Sequence, residues 1–418
     1  MAEVLPIHAV RFDPERAGPL EDLVAPPYDV ITAEGRAALL ARSPNNIVAL
    51  DLPETGDGSD IYAHAARLLE RRLAEGVLVA EREPSIWAYE QQYTGPDQAP
   101  RTRRGFLARF RIEEYGAGRV RPHERTQPRP KEDRLRLTRA CAHNLSPIFV
   151  LHPGTVWELL TPALGEPFGE ASDDDATTHR VWRIADPAVH RAISERLADA
   201  EFLIADGHHR YETARAYAAE IGGEGPHNYV LACFVSLDDP GLTVFATNRL
   251  LTGLSDQPDK QAAIRDTTRR HFTIEEVASE AIVPPADAGP GAFGYIDAHH
   301  QAAYHLRLND PSILETLLGD HSEAYRNIDA AILETIFLRG ALGMSSDDIA
   351  AKRGVAYDSD LDSALARVSS GAVDAGFFLR PTPIEQVRAV AASGETMPPK
   401  STYFFPKILT GIVLNPLR

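Results

Sequence analysis

Apolar residues recur along this chain with two different periods. "SIWAYEQQY" (85–93) and "GFLARFRI" (105–112) alternate in the two-residue rhythm of strands around "TGPDQAP" (94–100), which predicts a hairpin with a long loop. "LSPIFVLH" (145–152), "EFLIA" (201–205), "YVLACFVS" (229–236) and "AGFFLRP" (375–381) read as further strands, and "PIHAVRFDP" and "VAPPYDVI" near the start as short extended pieces joined by Pro-directed turns. Helical spacing takes over at 59–76, which ends on Gly76, and at 186–200, where Asp186 and Pro187 fit the N-cap and first helical positions and Val189, Ile193 and Leu197 fall on one face. A helix is also predicted from about Tyr211 to Ile221, with Tyr211, Ala214, Ala218 and Ile221 as its apolar stripe and Gly222-Gly223 as its stop. Beyond the surface excursion "IVPPADAGPGAFG" (282–294), helical patterns recur near 311–319, 329–343, 359–370 and 383–392, and a loop and strand close the chain. The alternation of helix and strand predicts a mixed α/β (α+β) protein.

A length of 418 residues exceeds one core of usual size, so lobes at about 1–150, 151–310 and 311–418, interleaved in space, are expected. No apolar run reaches the roughly 18 residues of a membrane span, and the first residues lack the form of a signal peptide. Two cysteines without a CxxC fit a reducing compartment, and the reading is cytoplasmic. The net charge of −17 opposes broad nucleic-acid binding. That charge is uneven: residues 101–139 hold thirteen Lys or Arg against five Asp or Glu. A basic island in an acidic chain suits a compact anionic ligand, or a face of solvated ion pairs.

The chemistry concentrates in "LIADGHHRYETA" (203–214), where an apolar strand runs into Asp206, Gly207, His208, His209 and Arg210 before a helix. Strand, glycine and helix start is the geometry that aims backbone N–H groups and a positive dipole end at an anion. Asp206 suits either helix capping or a divalent cation, and Arg210 suits a bidentate grip on phosphate. The junction contains neither GxGxxG nor GxxxxGK[ST], and HEXXH is absent from the chain. A second cluster, "RPHERTQPRPKEDRLRL" (121–137), sets Glu124 among His123 and Arg125, with Thr126, Lys131 and Arg134 as further donors. Proline at 122, 128 and 130 predicts a stiff loop there. A third, "PPKSTYFFPK" (398–407), offers Lys400, Ser401 and Thr402 either to phosphates or to a turn that fixes the last strand. Tyr28 and Asp29 in "PPYDVI" reach a site or simply make a turn; Trp87, Trp157 and Trp182 fit core packing better than base stacking.

Seven strings in order carry a resemblance: "VAPPYDVI" (24–31), "SPNNIV" (43–48), "HERT" (123–126), "KEDRLRL" (131–137), "NLSPIF" (144–149), "ADGHHRYETA" (205–214) and "MPPKSTYFFPK" (397–407). On them the chain resembles the domain of unknown function (DUF) 1015 family over nearly its whole length. It departs at Asn248 in "ATNRLL", where that family usually has His. The strand-DGHHR-helix unit is also similar to the core of the ParB/sulfiredoxin-like fold and of free-serine kinases built on it. The resemblance implies a nucleotide-binding core with further α/β lobes, and an ATP- (or ADP-) and Mg²⁺-dependent kinase that turns free L-serine into O-phosphoserine. It implies Glu124, Asp206 and His209 as catalytic groups, with Asp206 holding Mg²⁺ or orienting the hydroxyl and Glu124 as the base, in one cleft with Asp206. Gly207, His208, Arg210, Thr213, His123, Arg125, Thr126, Lys131, Arg134, Lys400, Ser401 and Thr402 would line the nucleotide phosphates. Two other readings stay open: a ParB-like nucleotide-binding switch without metabolite turnover, and a phosphohydrolase.

Overall fold

The computed structural model describes residues 3–115, 118–124, 126 and 128–418. The chain divides into two compact units, the first formed by Met1–Pro122, Thr126–Thr243 and Pro406–Arg418, the second by His123–Arg125 and Val244–Phe405.

In the first unit the alternating segments become β1 (Val4–Leu5), β2 (Ile86–Thr94), β3 (Pro100–Arg111), β4 (Val120–Arg121), β5 (Ile148–His152), β6 (Gly169–Ser172), β7 (Thr178–Ile184), β8 (Phe202–Asp206) and β9 (Tyr229–Ser236). Among the described residues these nine form one mixed sheet in the order β4-β8-β5-β9-β3-β2-β7-β6, with β1 on β3. The β2–β3 hairpin forms as the alternation predicts, with Trp87 opposite Leu107 and Thr94 opposite Pro100. Strands β5 and β9 run parallel, as do β4 and β8, and the other pairs are antiparallel. One sheet face carries Ile86, Ala88, Phe106, Phe110, Ile148, Val150, Phe202, Ile204 and Phe234, all closed from solvent. Two helices cover it: α3 (Pro187–Leu197), capped by Asp186, and α4 (His208–Ile221). A second core joins Val10, Leu23, Ile47 and Leu50 to α1 (Ile61–Ala74) and to Leu137 and Cys141 of α2 (Pro128–Cys141).

Two local expectations change. The stiff loop expected through Pro128 and Pro130 is instead the first turn of α2, because first-turn N–H groups have no intrahelical acceptor and proline is tolerated there. Helix α4 begins at His208 rather than Tyr211, and its buried residues are His208, Tyr211, Thr213, Ala214 and Tyr217. Ile221, the last helical residue before Gly222, stands in solvent at 51% exposure. Trp87 is wholly buried, and Trp157 packs edge-on against Trp182, so these rings serve packing.

The second unit holds an antiparallel sheet of β10 (Asn248–Leu251), β11 (Phe272–Val277), β12 (Ala292–Asp297), β13 (Ala303–Leu308), β14 (Val355–Asp358) and β15 (Ala375–Phe378), in the order β11-β13-β12-β15-β10-β14. The helix expected at 329–343 forms as Asp329–Leu333 followed by a π-helical stretch, Glu334–Ala341. Among the described residues no helix is long and apolar enough to cross a membrane.

Phe234 is stacked on Phe106 at 5.0 Å between centroids and meets Phe110 edge-on at 5.4 Å. Phe234→Ala should lower stability by about 3–5 kcal/mol, the usual cost of a large buried ring. All three tryptophans lie in the first unit, so urea unfolding followed by tryptophan fluorescence reads this loss directly. A change below 1 kcal/mol would mean that this face is not the core.

Candidate functional site

Strand β8 is wholly apolar up to Ala205, and its pairing with β5 shifts register between Ile204 and Asp206. The irregularity releases Ala205 from the ladder and re-aims the strand end. Gly207 follows with φ +88°, and a Cβ there would lie 3.0 Å from the Arg210 guanidinium and from the Ile148 side chain. Both facts call for glycine. Helix α4 then starts with Gly207 as N-cap and without a side-chain cap, so the capping role open to Asp206 is not the one it takes.

Asp206 instead accepts a hydrogen bond from Arg210 Nη2 at 3.0 Å, while Lys407 Nζ stands 3.6 Å from its other oxygen. Arg210 Nη1 donates to Ser146 Oγ at 2.6 Å and to the Pro147 carbonyl. The guanidinium is thus a clasp between β8, α4 and the turn before β5, largely buried, with its Nε lacking a hydrogen-bond partner. His208 is buried and His209 is half-exposed.

One turn along α4, Glu212 accepts from Thr126 Oγ1 at 2.8 Å and from Lys131 Nζ at 2.9 Å. The Thr213 hydroxyl donates to the Lys131 carbonyl at 3.4 Å. Arg134 is buried: Nη1 bonds the Asp51 carboxylate at 3.1 Å and the Asp51 carbonyl at 2.7 Å, Nη2 bonds Asp133 at 2.6 Å, and Tyr28 lies under the guanidinium at 4.3 Å. These donors gather along α2 and α4, but Arg134 is bound to protein carboxylates. Burial pushes the Tyr28 hydroxyl up to about 12.

The second unit brings together two further segments far apart in sequence. Glu124 bridges to Met397, and its carboxylate accepts the Lys400 backbone N–H at 3.3 Å. His123 Nε2 lies 2.9 Å from Thr402 Oγ1. Lys400 holds φ +57°, a left-handed conformation that non-glycine residues adopt at a cost. Ser401 and Thr402 are buried, and the Ser401 hydroxyl donates to the Pro398 carbonyl at 2.6 Å. Asn248 is buried and accepts from the Leu379 N–H at 3.3 Å. Arg125 lies outside the described residues. Glu124 and Asp206 belong to different units.

No pattern in the sequence marks Asp51, Ser146 or Lys407 as a site residue. Ser146 and Lys407 stand inside the strings "NLSPIF" and "MPPKSTYFFPK", and Asp51 follows "SPNNIV" by three positions. Among the described residues no group of three or more His, Cys, Asp or Glu side chains could hold a metal ion. Asp206 by itself fits Mg²⁺, which is commonly bound through one or two carboxylates plus phosphate oxygens. Cys141 and Cys233 are buried free thiols, each pushed up to about 12 by burial.

The sequence matches the family described as "Protein of unknown function (DUF1015)" over residues 4–331. No curated protein matches it. Among solved structures it is similar to a conserved hypothetical protein from Pyrococcus furiosus, with 17% identity, TM-score 0.36, and coverage of 69% of this chain and 89% of that one. It is likewise similar to a free serine kinase in complex with AMP, with 15% identity, TM-score 0.35, and coverage of 68% and 83%. SbnI from Staphylococcus aureus, truncated at its C-terminus, matches with 11% identity, TM-score 0.37, and coverage of 73% and 85%. Likeness this remote says nothing of activity.

Asp51 gives the site a pH signature. Burial pushes its carboxyl above the usual 3.8; Arg134 and Arg210 pull it down, and Asp29 and Asp133 push it up. The folded state therefore holds the Asp51 proton more tightly than the unfolded chain. Its contribution to stability is complete below the unfolded value and is lost as pH rises through the folded one. Relative to wild type, Asp51→Asn should gain stability as pH rises from 4 to 7, whatever constant cost comes from the weakened Arg134 contact. Urea midpoints across that range test the sign, and a relative loss with rising pH would contradict it.

Proposed function

We propose, for a chain that belongs to the DUF1015 family, a nucleotide- and Mg²⁺-dependent kinase acting on a small hydroxyl-bearing molecule, L-serine first among them. The observation that carries this reading is the junction Asp206–Arg210. A left-handed glycine opens a 14-residue helix directly after a buried strand, beside a carboxylate flanked by Arg210 and Lys407. A long helix start without a side-chain cap favours an anion such as phosphate. The family resemblance of the DGHHR string supports the choice of nucleotide and serine, and the ParB/sulfiredoxin-like core is part of the same proposal.

In this reading Asp206 holds Mg²⁺, which when bound neutralises phosphate charge. Arg210 keeps Asp206 aimed, and His209 and Lys131 meet phosphate oxygens. Gly207 lets the backbone come close to the ligand. Glu124 takes the proton from the serine hydroxyl as its oxygen attacks the γ-phosphorus and ADP leaves. The Lys400 backbone N–H donates to the Glu124 carboxylate at 3.3 Å and orients it. The protein acts in the cytoplasm.

Incubation with ATP, Mg²⁺ and L-serine, followed by phosphorus NMR, should give O-phosphoserine and ADP. Glu124→Gln should cut turnover by about 10²–10⁴-fold, the range for loss of a general base, while leaving nucleotide affinity near wild type. Inorganic phosphate alone would make the protein a hydrolase, and nucleotide binding without turnover would make it a switch; either outcome overturns the kinase reading.

A further inference from the structure

Behind the junction, within the first unit, a cavity of about 40 Å³ lies among Asp51, Arg134, Ser146, Arg210 and Thr213. Two buried polar atoms on its lining residues have no hydrogen-bond partner: Asp51 Oδ2, an acceptor, and Arg210 Nε, a donor. Asp51 is 5% exposed, and its other carboxylate oxygen is bonded to Arg134 at 3.1 Å. Buried polar atoms are almost always paired, with protein or with ordered water. A group that satisfies both must donate on one side and accept on the other, which a hydroxyl or a water does and a metal ion or a simple anion does not. Size then decides. A water needs about 10–15 Å³ by this measure, so the space admits one to three waters and not an amino acid or a phosphate.

We propose that ordered water in this cavity donates to Asp51 Oδ2 and accepts from Arg210 Nε, making Asp51 a positioning residue for Arg210 and, through it, for Asp206. The guanidinium is then held on every side. Nη1 meets Ser146 and Pro147, Nη2 meets Asp206, and Nε meets the water. Without that contact one edge of the clasp is loose, and the arginine that holds the Asp206 carboxylate on the side away from Lys407 is free to rock. The hydration site itself does not depend on what the protein does; its effect on ligand binding rests on the proposed nucleotide site.

A high-resolution crystal structure of the full chain tests the hydration. Density for a water within hydrogen-bonding distance of both Asp51 Oδ2 and Arg210 Nε is expected, and a dry cavity or a protein oxygen on Nε overturns it. In solution, protein labelled with ¹⁵N at arginine Nε, with the signal assigned through Arg210→Lys, should show an Nε–H cross-peak to a long-lived water. Asp51→Leu fills the space with methyl groups and should erase that cross-peak; Asp51→Asn keeps a polar partner and should retain it. Calorimetric titration of Mg·ATP then tests positioning: affinity should fall roughly tenfold in Asp51→Leu, the scale of one hydrogen bond, and recover in Asp51→Asn. Equal loss in both variants would assign the effect to the Arg134 ion pair and overturn the positioning role. So would unchanged affinity in a folded Asp51→Leu. Failure of wild type to bind nucleotide would remove the functional reading while the crystal structure still decides the water.

Discussion

One buried guanidinium holds the candidate site together. Arg210 can be placed where it is only if its positive charge and its N–H groups are met by protein, because an unpaired buried charge is among the costliest features a fold can carry. Asp206 supplies the charge four residues away, and Ser146 and Pro147 supply neutral oxygens from a different part of the chain. That requirement dictates the rest. The strand must end in an irregularity so that Asp206 turns toward the helix, the next residue must accept a positive φ, and its Cβ must be absent where the guanidinium passes. The DGHHR string is therefore as much a packing solution as a chemical one.

The same logic separates residues that bind protein from residues able to bind ligand. Arg134 fits a phosphate by residue type, yet it is buried with its forks on Asp51 and Asp133 and its face on Tyr28. Lys131 is 40% exposed and shares Glu212 with Thr126, so a phosphate could compete for it at little cost. Exposed ion pairs are worth about 0–1 kcal/mol and exchange readily, whereas breaking a buried one costs several times more. The basic island at 101–139 divides along this line between structural and available charge.

Much of the frame was legible in the sequence. The β2–β3 hairpin, the strands at 148–152, 202–206 and 229–236, and the Asp186-capped helix follow from period and capping chemistry alone, since their apolar faces are buried locally. The start of α2 was not legible. Proline reads as a loop unless the helix that follows is known to begin there. The stripe on α4 failed at Ile221 because periodicity does not tell where a neighbouring surface ends. In the site, Asp206, Gly207 and Arg210 announced themselves by their setting at a strand end. Asp51, Ser146 and Lys407 could not, because their roles arise from contacts across 64 residues or more of sequence. The meeting of Glu124 with the Lys400 backbone, 276 residues apart, is of the same kind.

On the reading proposed above, the Asp206–Arg210 junction receives the phosphates of a nucleotide, and the planar fork of Arg210, bound to Asp206, Ser146 and Pro147, holds the junction in shape to do so. Calorimetric titration of Mg·ATP into wild type, Arg210→Lys and Arg210→Ala, each first shown to be folded, tests it most directly. A roughly ten- to hundredfold loss of affinity is expected in Arg210→Ala, the scale of hydrogen bonds to charged groups. Arg210→Lys should recover only part of it, since an ammonium keeps the charge without the fork. Equal affinities in the three proteins would contradict the claim.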